Sequence, residues 1–153
     1  MASRDISEEI IEDLYAEALI LADDARAVFD LRFSAYSDGA NDLLRIALSI
    51  EGLRTTTRVM HVLAWLLNQR AYFSGELSEG QLRRHNALPE ERLADPVNLA
   101  LLEPETRELI HESERLHARV ARLDCEWRQQ RGASDAPVHA LQGRIERAFG
   151  RAG

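Results

Sequence analysis

The sequence contains one cysteine, Cys125, and no lysine. A single cysteine rules out an internal disulfide and any metal site built from several thiolates. It also fits a reducing compartment. All 19 basic residues are therefore arginine, which excludes Schiff-base chemistry and lysine-dependent phosphate loops, since both need an amine. No stretch approaches the ~18 consecutive apolar residues of a membrane span. The longest candidate, Val59 to Leu67, is short and interrupted by His61. Met1 to Asp5 lack the basic and then apolar pattern of a secretory leader. The expectation is a soluble, cytoplasmic protein with no membrane partner.

What is present is ordinary for a folded chain. Hydrophobic residues make up 45% and charged residues 29% of 153 positions, which suits one globular unit rather than a disordered one. The net charge of −7 argues against nucleic acid as a partner, because nucleic-acid binders usually carry a basic face.

The apolar spacing is helical throughout, and no strand pattern competes. A first helix is expected from Ser7 to about Tyr36, with Ile11, Leu14, Ala18, Leu21, Ala25 and Val28 on one face. Ser7 serves as its N-cap, acidic residues crowd its start, and Ser37-Asp38-Gly39 stops it. A second helix is expected from an Asn41 N-cap to about Phe73. Leu43, Ala47, Ile50, Met60, Ala64, Leu67 and Ala71 mark its apolar stripe, and Gly75 is its stop. Ser78 and Gln81 have capping-box spacing, so a short helix follows to about His85. A connector with Pro89 and Pro96 should be irregular. The fourth segment, Pro104 to about Gln130, places Leu109, Ser113, Leu116, Val120, Leu123 and Trp127 on one stripe. Arg131 to Pro137 reads as a break, and Val138, Leu141, Ile145 and Phe149 line a last short helix. The fold expected is all-α: an antiparallel three-helix bundle over residues 1–131, with a short extra helix, followed by a linker and amphipathic tail over 132–153.

Searching for chemistry yields little. Two Glu-x-x-His pairs, Glu108 with His111 and Glu114 with His117, have the spacing of di-iron bundles. Such sites need one pair on each of two helices, and here both fall on one, so surface histidines are the plainer reading. No glycine-rich phosphate loop, nucleophile elbow or zinc-protease motif is present. No catalytic residue, cofactor or metal is expected. Arg54 and Arg58 are spaced i, i+4 on one helix, so their mutual repulsion calls for acidic partners on another helix or another chain.

The stretch from Glu51 to Ala71 carries a resemblance. Glu51, Arg54, Thr56, Thr57, Arg58, Met60, Trp65, Leu66, Leu67, Gln69, Arg70 and Ala71 keep the spacing of a pattern in the RcdA family (regulator of CtrA degradation, the DUF1465 group) of alphaproteobacteria. Leu116 to Asp124 is similar to a second family segment, and Gly75-Glu76 to a third. Gly52, Thr55 and Ala64 depart from it, standing where the family has serine, leucine and serine. The resemblance covers residues 40–125 well and the first helix weakly.

It implies a dimerising three-helix bundle without enzymatic activity. Its role would be that of an adaptor: it binds a ClpXP protease primed by a CpdR-like response regulator and delivers transcription-factor cargo or a second adaptor, in the cytoplasm and at the cell pole. Residues expected to meet partners are Arg54, Thr56, Thr57, Arg58, Trp65, Gln69, Arg70, Arg119, Arg122 and Asp124. Leu141, Ile145 and Phe149 form a tail tether suited to a groove on a partner.

Overall fold

The structure, a computed structural model, describes the backbone of residues 7–35 and 41–149; side chains 131–140, 146 and 149 lie outside the described part. Five helices follow one another: α1 (Glu8–Ala35), α2 (Asp42–Phe73), α3 (Glu79–His85), α4 (Pro96–Leu101) and α5 (Pro104–Phe149). The chain is an all-α bundle of three long helices and two short ones.

The ends of the helices follow local chemistry. The Asn41 side chain accepts from the Leu44 amide at 3.4 Å, and Ser7 accepts from Ile10 at 3.3 Å; each satisfies an orphan donor of a first turn. α3 carries the full capping box: the Gln81 amide donates to Ser78 Oγ at 3.2 Å, and the Ser78 amide donates to Gln81 Oε1 at 2.9 Å. α2 ends at Ser74, and Gly75 follows with φ 82°, a backbone setting that glycine adopts without a Cβ clash. α4 was not expected. Asp95 caps it by accepting from the Val97 amide at 2.9 Å, with Pro96 in its first turn. Six residues are too few to show an apolar period.

Ile11, Leu14, Ala18, Leu21 and Ala25 of α1 are all buried as expected, joined by Phe29 in place of Val28, which is partly buried. On α5, Leu109, Ser113, Leu116, Val120 and Trp127 are buried and Leu123 partly so. α2 behaves differently. Of its expected stripe only Ala47 is buried; Leu43, Ile50, Met60 and Leu67 are 68, 37, 59 and 47% exposed, and Ala64 is exposed. The buried face instead holds Leu48, Val59, Val62, Trp65 and Leu66 together with Glu51, Thr55, Arg58 and Gln69. Apolar side chains lie on both sides of α2, so periodicity alone could not choose between them. The richer stripe is the outward one.

Residue pairings give the topology. Arg70 near the end of α2 meets Glu12 near the start of α1, and Arg119 of α5 meets Glu17 while Glu103 meets Arg32. α1 therefore runs antiparallel to both other long helices. Arg58 meets Ser113 and Trp65 meets Asp124, so α2 and α5 run in the same direction. That requires the segment from Ser74 to Glu103 to return along the length of α2, and it does: Asn86, Glu91, Arg92 and Asp95 contact Trp65, His61, Arg58 and Glu51 in turn. The expectation of short connections between antiparallel neighbours holds for α1 and α2 and fails for α2 and α5.

The break expected over Arg131 to Pro137 is also absent from the backbone. α5 is continuous for 46 residues, about 69 Å at 1.5 Å per residue, against about 42 Å for α1 and 48 Å for α2. Among the described side chains, none beyond Trp127 is buried.

Candidate partner-binding site

Helix α2 carries most of the residues singled out by the sequence, and its 3.6-residue period divides them between two faces. Glu51, Thr55, Arg58, Trp65 and Gln69 turn into the bundle and are at most 2% exposed. Thr56 is exposed, while Arg54, Thr57 and Arg70 are partly exposed. Asp124 on α5 is 8% exposed. Arg58, Trp65, Gln69 and Asp124 are thus removed from any surface of this chain, contrary to the expectation that they meet partners. The reason is the returning connector. It has no regular backbone partners over Ala87 to Asp95, so polar side chains of α2 and α5 must satisfy it.

Arg58 is the centre of that arrangement. Its guanidinium donates to Ser113 Oγ at 2.8 Å and to the Arg92 carbonyl at 2.8 Å. Burial pulls its pKa below the usual arginine value, and the carboxylates of Glu114, Glu91 and Glu51 oppose that pull. Two turns earlier, Glu51 Oε1 accepts from Arg54 at 2.9 Å, from the Asp95 amide at 3.2 Å and from Asn98 at 2.9 Å. Arg54 of the i, i+4 pair therefore does find an acidic partner within the same chain, while Arg58 is held by a hydroxyl and a carbonyl with carboxylates nearby. His61 contacts Glu91 on the connector.

Trp65 anchors the other half. Its indole Nε1–H donates to Asp124 Oδ1 at 3.0 Å. Asp124 also accepts from Arg128 at 3.1 and 3.2 Å. The Asn86 side chain donates to the Trp65 carbonyl at 3.3 Å and accepts from Asn68 at 3.0 Å. Of the second family segment, Leu116, Val120 and Asp124 are thus core residues, and His117 Nε2 lies 3.0 Å from the Pro89 carbonyl.

What remains on the surface is a smaller set. Arg70 donates to Glu12 at 2.7 Å and stacks on the Tyr15 ring, 4.3 Å from its centroid, and the hydrogen bond to Glu12 raises its pKa. Arg119 pairs with Glu17 at 2.7 Å. Arg119 and Arg122 line a shallow groove of about 390 Å³ between α1 and α5, with Leu123 and Glu126 beside them and Asp13 and Glu17 opposite. On α5, Leu141 and Ile145 are 59 and 48% exposed; the Phe149 side chain lies outside the described residues.

Sequence reasoning missed one feature of this surface. Leu43, Ile46, Ile50, Leu53, Met60 and Leu67 form an outward apolar row on α2. The signal was present in the three-and-four spacing, and was read as the core side. The Glu-x-x-His pairs hold no ligand set: Glu108 accepts from Arg115 at 2.7 Å, His111 sits 3.8 Å from Glu114, and no metal-competent cluster occurs among the described residues. None of the described helices is long and apolar enough to cross a membrane.

Neither the curated proteins nor the solved structures contain a significant match to this chain. A family model does match, over residues 2–149: DUF1465, described as a protein of unknown function. With nearly the whole bundle inside that match, the chain belongs to the DUF1465 family.

Proposed function

We propose that this protein is a non-enzymatic adaptor of regulated proteolysis. In this reading it binds a ClpXP protease primed by a CpdR-like response regulator and hands it transcription-factor cargo or a further adaptor. It acts as a homodimer in the cytoplasm, with recruitment to the cell pole, and uses no cofactor and no nucleic acid. The observation that carries the reading is the α2 motif from Glu51 to Ala71, which keeps the spacing of the RcdA pattern in a chain of the DUF1465 family.

The architecture is compatible with two separate contact regions. Exposed or partly exposed members of the motif, Arg54, Thr56, Thr57 and Arg70, sit on the bundle with Arg119 and Arg122. Leu141 and Ile145 sit on the far part of α5, beyond the last buried residue. A helix presenting an apolar i, i+4 pair suits a groove on another protein.

The test is a degradation assay with ClpXP, a CpdR-like regulator and a candidate cargo, run without this protein, with the full chain, and with a chain truncated after Gly132. Faster cargo loss only with the full chain supports the adaptor and assigns tethering to the end of α5. No acceleration by the full chain, with cargo and regulator shown to be competent, removes the protease link. The second reading, a structural or dimerisation module, then stands; the outward apolar row of α2 favours it.

A further inference from the structure

The bundle has a groove that its own chain leaves open. Two cavities of about 390 and 440 Å³ lie between α1 and α5, and both are lined by those two helices alone. Leu14 and Leu109 are buried at its floor, with Val28 and Leu123 half-buried beside them. Ile20, on the α1 edge between Glu17 and Asp24, is exposed. The α5 edge carries charge in a fixed order: Glu105, Glu108, Glu112, Arg115, Arg119, Arg122, at alternating steps of three and four. That period keeps all six on one side of the helix.

Across the groove the two halves differ. In the arginine half unlike charges meet, and Arg119 donates to Glu17 of α1 at 2.7 Å. In the glutamate half like meets like: Asp24 of α1 shares one cavity with Glu105, Glu108 and Glu112. Arg32 holds Glu105 at 3.4 Å, and Arg115 holds Glu108 at 2.7 Å. Among the described residues no ion pair holds Asp24 or Glu112.

We propose that this groove seats a helix of another protein, basic at the end that lies over Asp24 and Glu112. Facing carboxylates repel one another, and a cation brought between them removes that cost. No metal-competent cluster forms among the described residues. The glutamates are strung instead along about 10 Å of α5, at 1.5 Å per residue. Arginines or lysines three and four apart on a second helix match that spacing. Arg119 and Arg122 repel the same side chains further along, which confines them to one end of the partner. The apolar floor calls for an apolar stripe, so the partner is an amphipathic helix lying between two others, as the fourth member of a bundle does. The edge from Glu105 to Arg122 is about 26 Å long, the reach of about 17 helical residues. A second copy of this chain, with a net charge of −7, lacks the excess of positive charge that the groove calls for.

This rests on the protein-binding part of the reading above and not on the protease part, and its test contains no protease, so the two fail separately. The probe is a synthetic helical peptide of about 17 residues, with a leucine stripe flanked by arginines at one end, and its binding to the full chain is read by fluorescence anisotropy. Asp24→Arg with Glu112→Arg is expected to weaken binding about tenfold or more, with the helical circular-dichroism signal kept. Asp24→Asn with Glu112→Gln should weaken it in the same direction and serves where the arginines disturb the fold. Glu76→Arg with Glu90→Arg makes the same change in net charge at exposed positions outside the groove, and should leave affinity within about twofold. A wild type that does not bind the peptide overturns the proposal. Equal weakening by the groove pair and the outside pair also overturns it, in favour of unspecific attraction to an acidic protein. A change in particle mass on mutating the groove pair, measured by light scattering, overturns it by placing a second copy in the groove.

Discussion

Thr55 shows how much a single hydroxyl can matter here. The residue is fully buried, and its Oγ1 has no hydrogen-bond partner. A buried polar group without a partner costs about 1–3 kcal/mol. Thr55→Val keeps the shape and removes the hydroxyl, so it should raise stability by about 1–2 kcal/mol in urea or thermal unfolding; a loss would mean the hydroxyl is satisfied. Arg58 is the opposite case. Arg58→Leu leaves Ser113 and the Arg92 carbonyl without their donor, and takes a buried positive charge from the neighbourhood of Glu114, Glu91 and Glu51. Losing two buried hydrogen bonds from a charged donor typically costs about 3–5 kcal/mol. Chemical denaturation of the variant should show that loss, and an unchanged midpoint would place Arg58 at the surface after all. Trp65→Phe removes the indole donor to Asp124, which keeps Arg128, together with part of the volume of a fully buried ring system, so a loss of about 2–3 kcal/mol is expected in the same measurement.

At the level of elements, Gly52 of α2 lies against Phe29 of α1. A Cβ at Gly52 would sit 3.1 Å from the Phe29 ring, which is tighter than ordinary van der Waals contact. Gly52→Leu should therefore overpack the crossing and lower stability by about 1–3 kcal/mol; a neutral result would show that Phe29 can turn away freely. The same crossing explains what the sequence disclosed and what it did not. Caps are local chemistry, so Asn41, Ser78 with Gln81, and Gly75 could be read from neighbours in the chain. The stripes of α1 and α5 were legible because each of those helices has one apolar side. α2 has two, and polar residues of its buried side such as Glu51 and Arg58 look like surface until the connector is laid against them. That contact joins residues 18 to 47 positions apart, such as Asn68 with Asn86 and Glu51 with Asn98, and no local pattern encodes it. The candidate site suffered for this reason: its conspicuous arginines and tryptophan were conspicuous as a clamp.

For the molecule as a whole, the bundle and the far part of α5 make separable contributions. With no described side chain beyond Trp127 buried, truncation after Gly132 should shift the melting temperature by less than about 2 °C, within the range of a surface change. The helical signal per chain should fall with the lost turns. A drop of many degrees would mean that the end of α5 packs on the bundle. The surface pairs, Arg70 with Glu12 and Arg119 with Glu17, are exposed enough that water and salt screen them. They fix the register of α1 against its neighbours more than they stabilise it.

The returning connector has a consequence for how the chain is born. Synthesis runs from the N-terminus, and domains begin to fold as they emerge. When Phe73 leaves the ribosome, α1 and α2 can already close on each other as a hairpin, while their lid, the connector and α5, does not yet exist. A hairpin whose open side were wholly apolar would be prone to aggregate during that wait. Glu51 and Arg58 keep part of the open side of α2 wetted until Arg92, Asp95 and Ser113 arrive to replace the water. The polar residues inside this bundle thus act first as solubilisers of a half-made protein and only afterwards as its clasp.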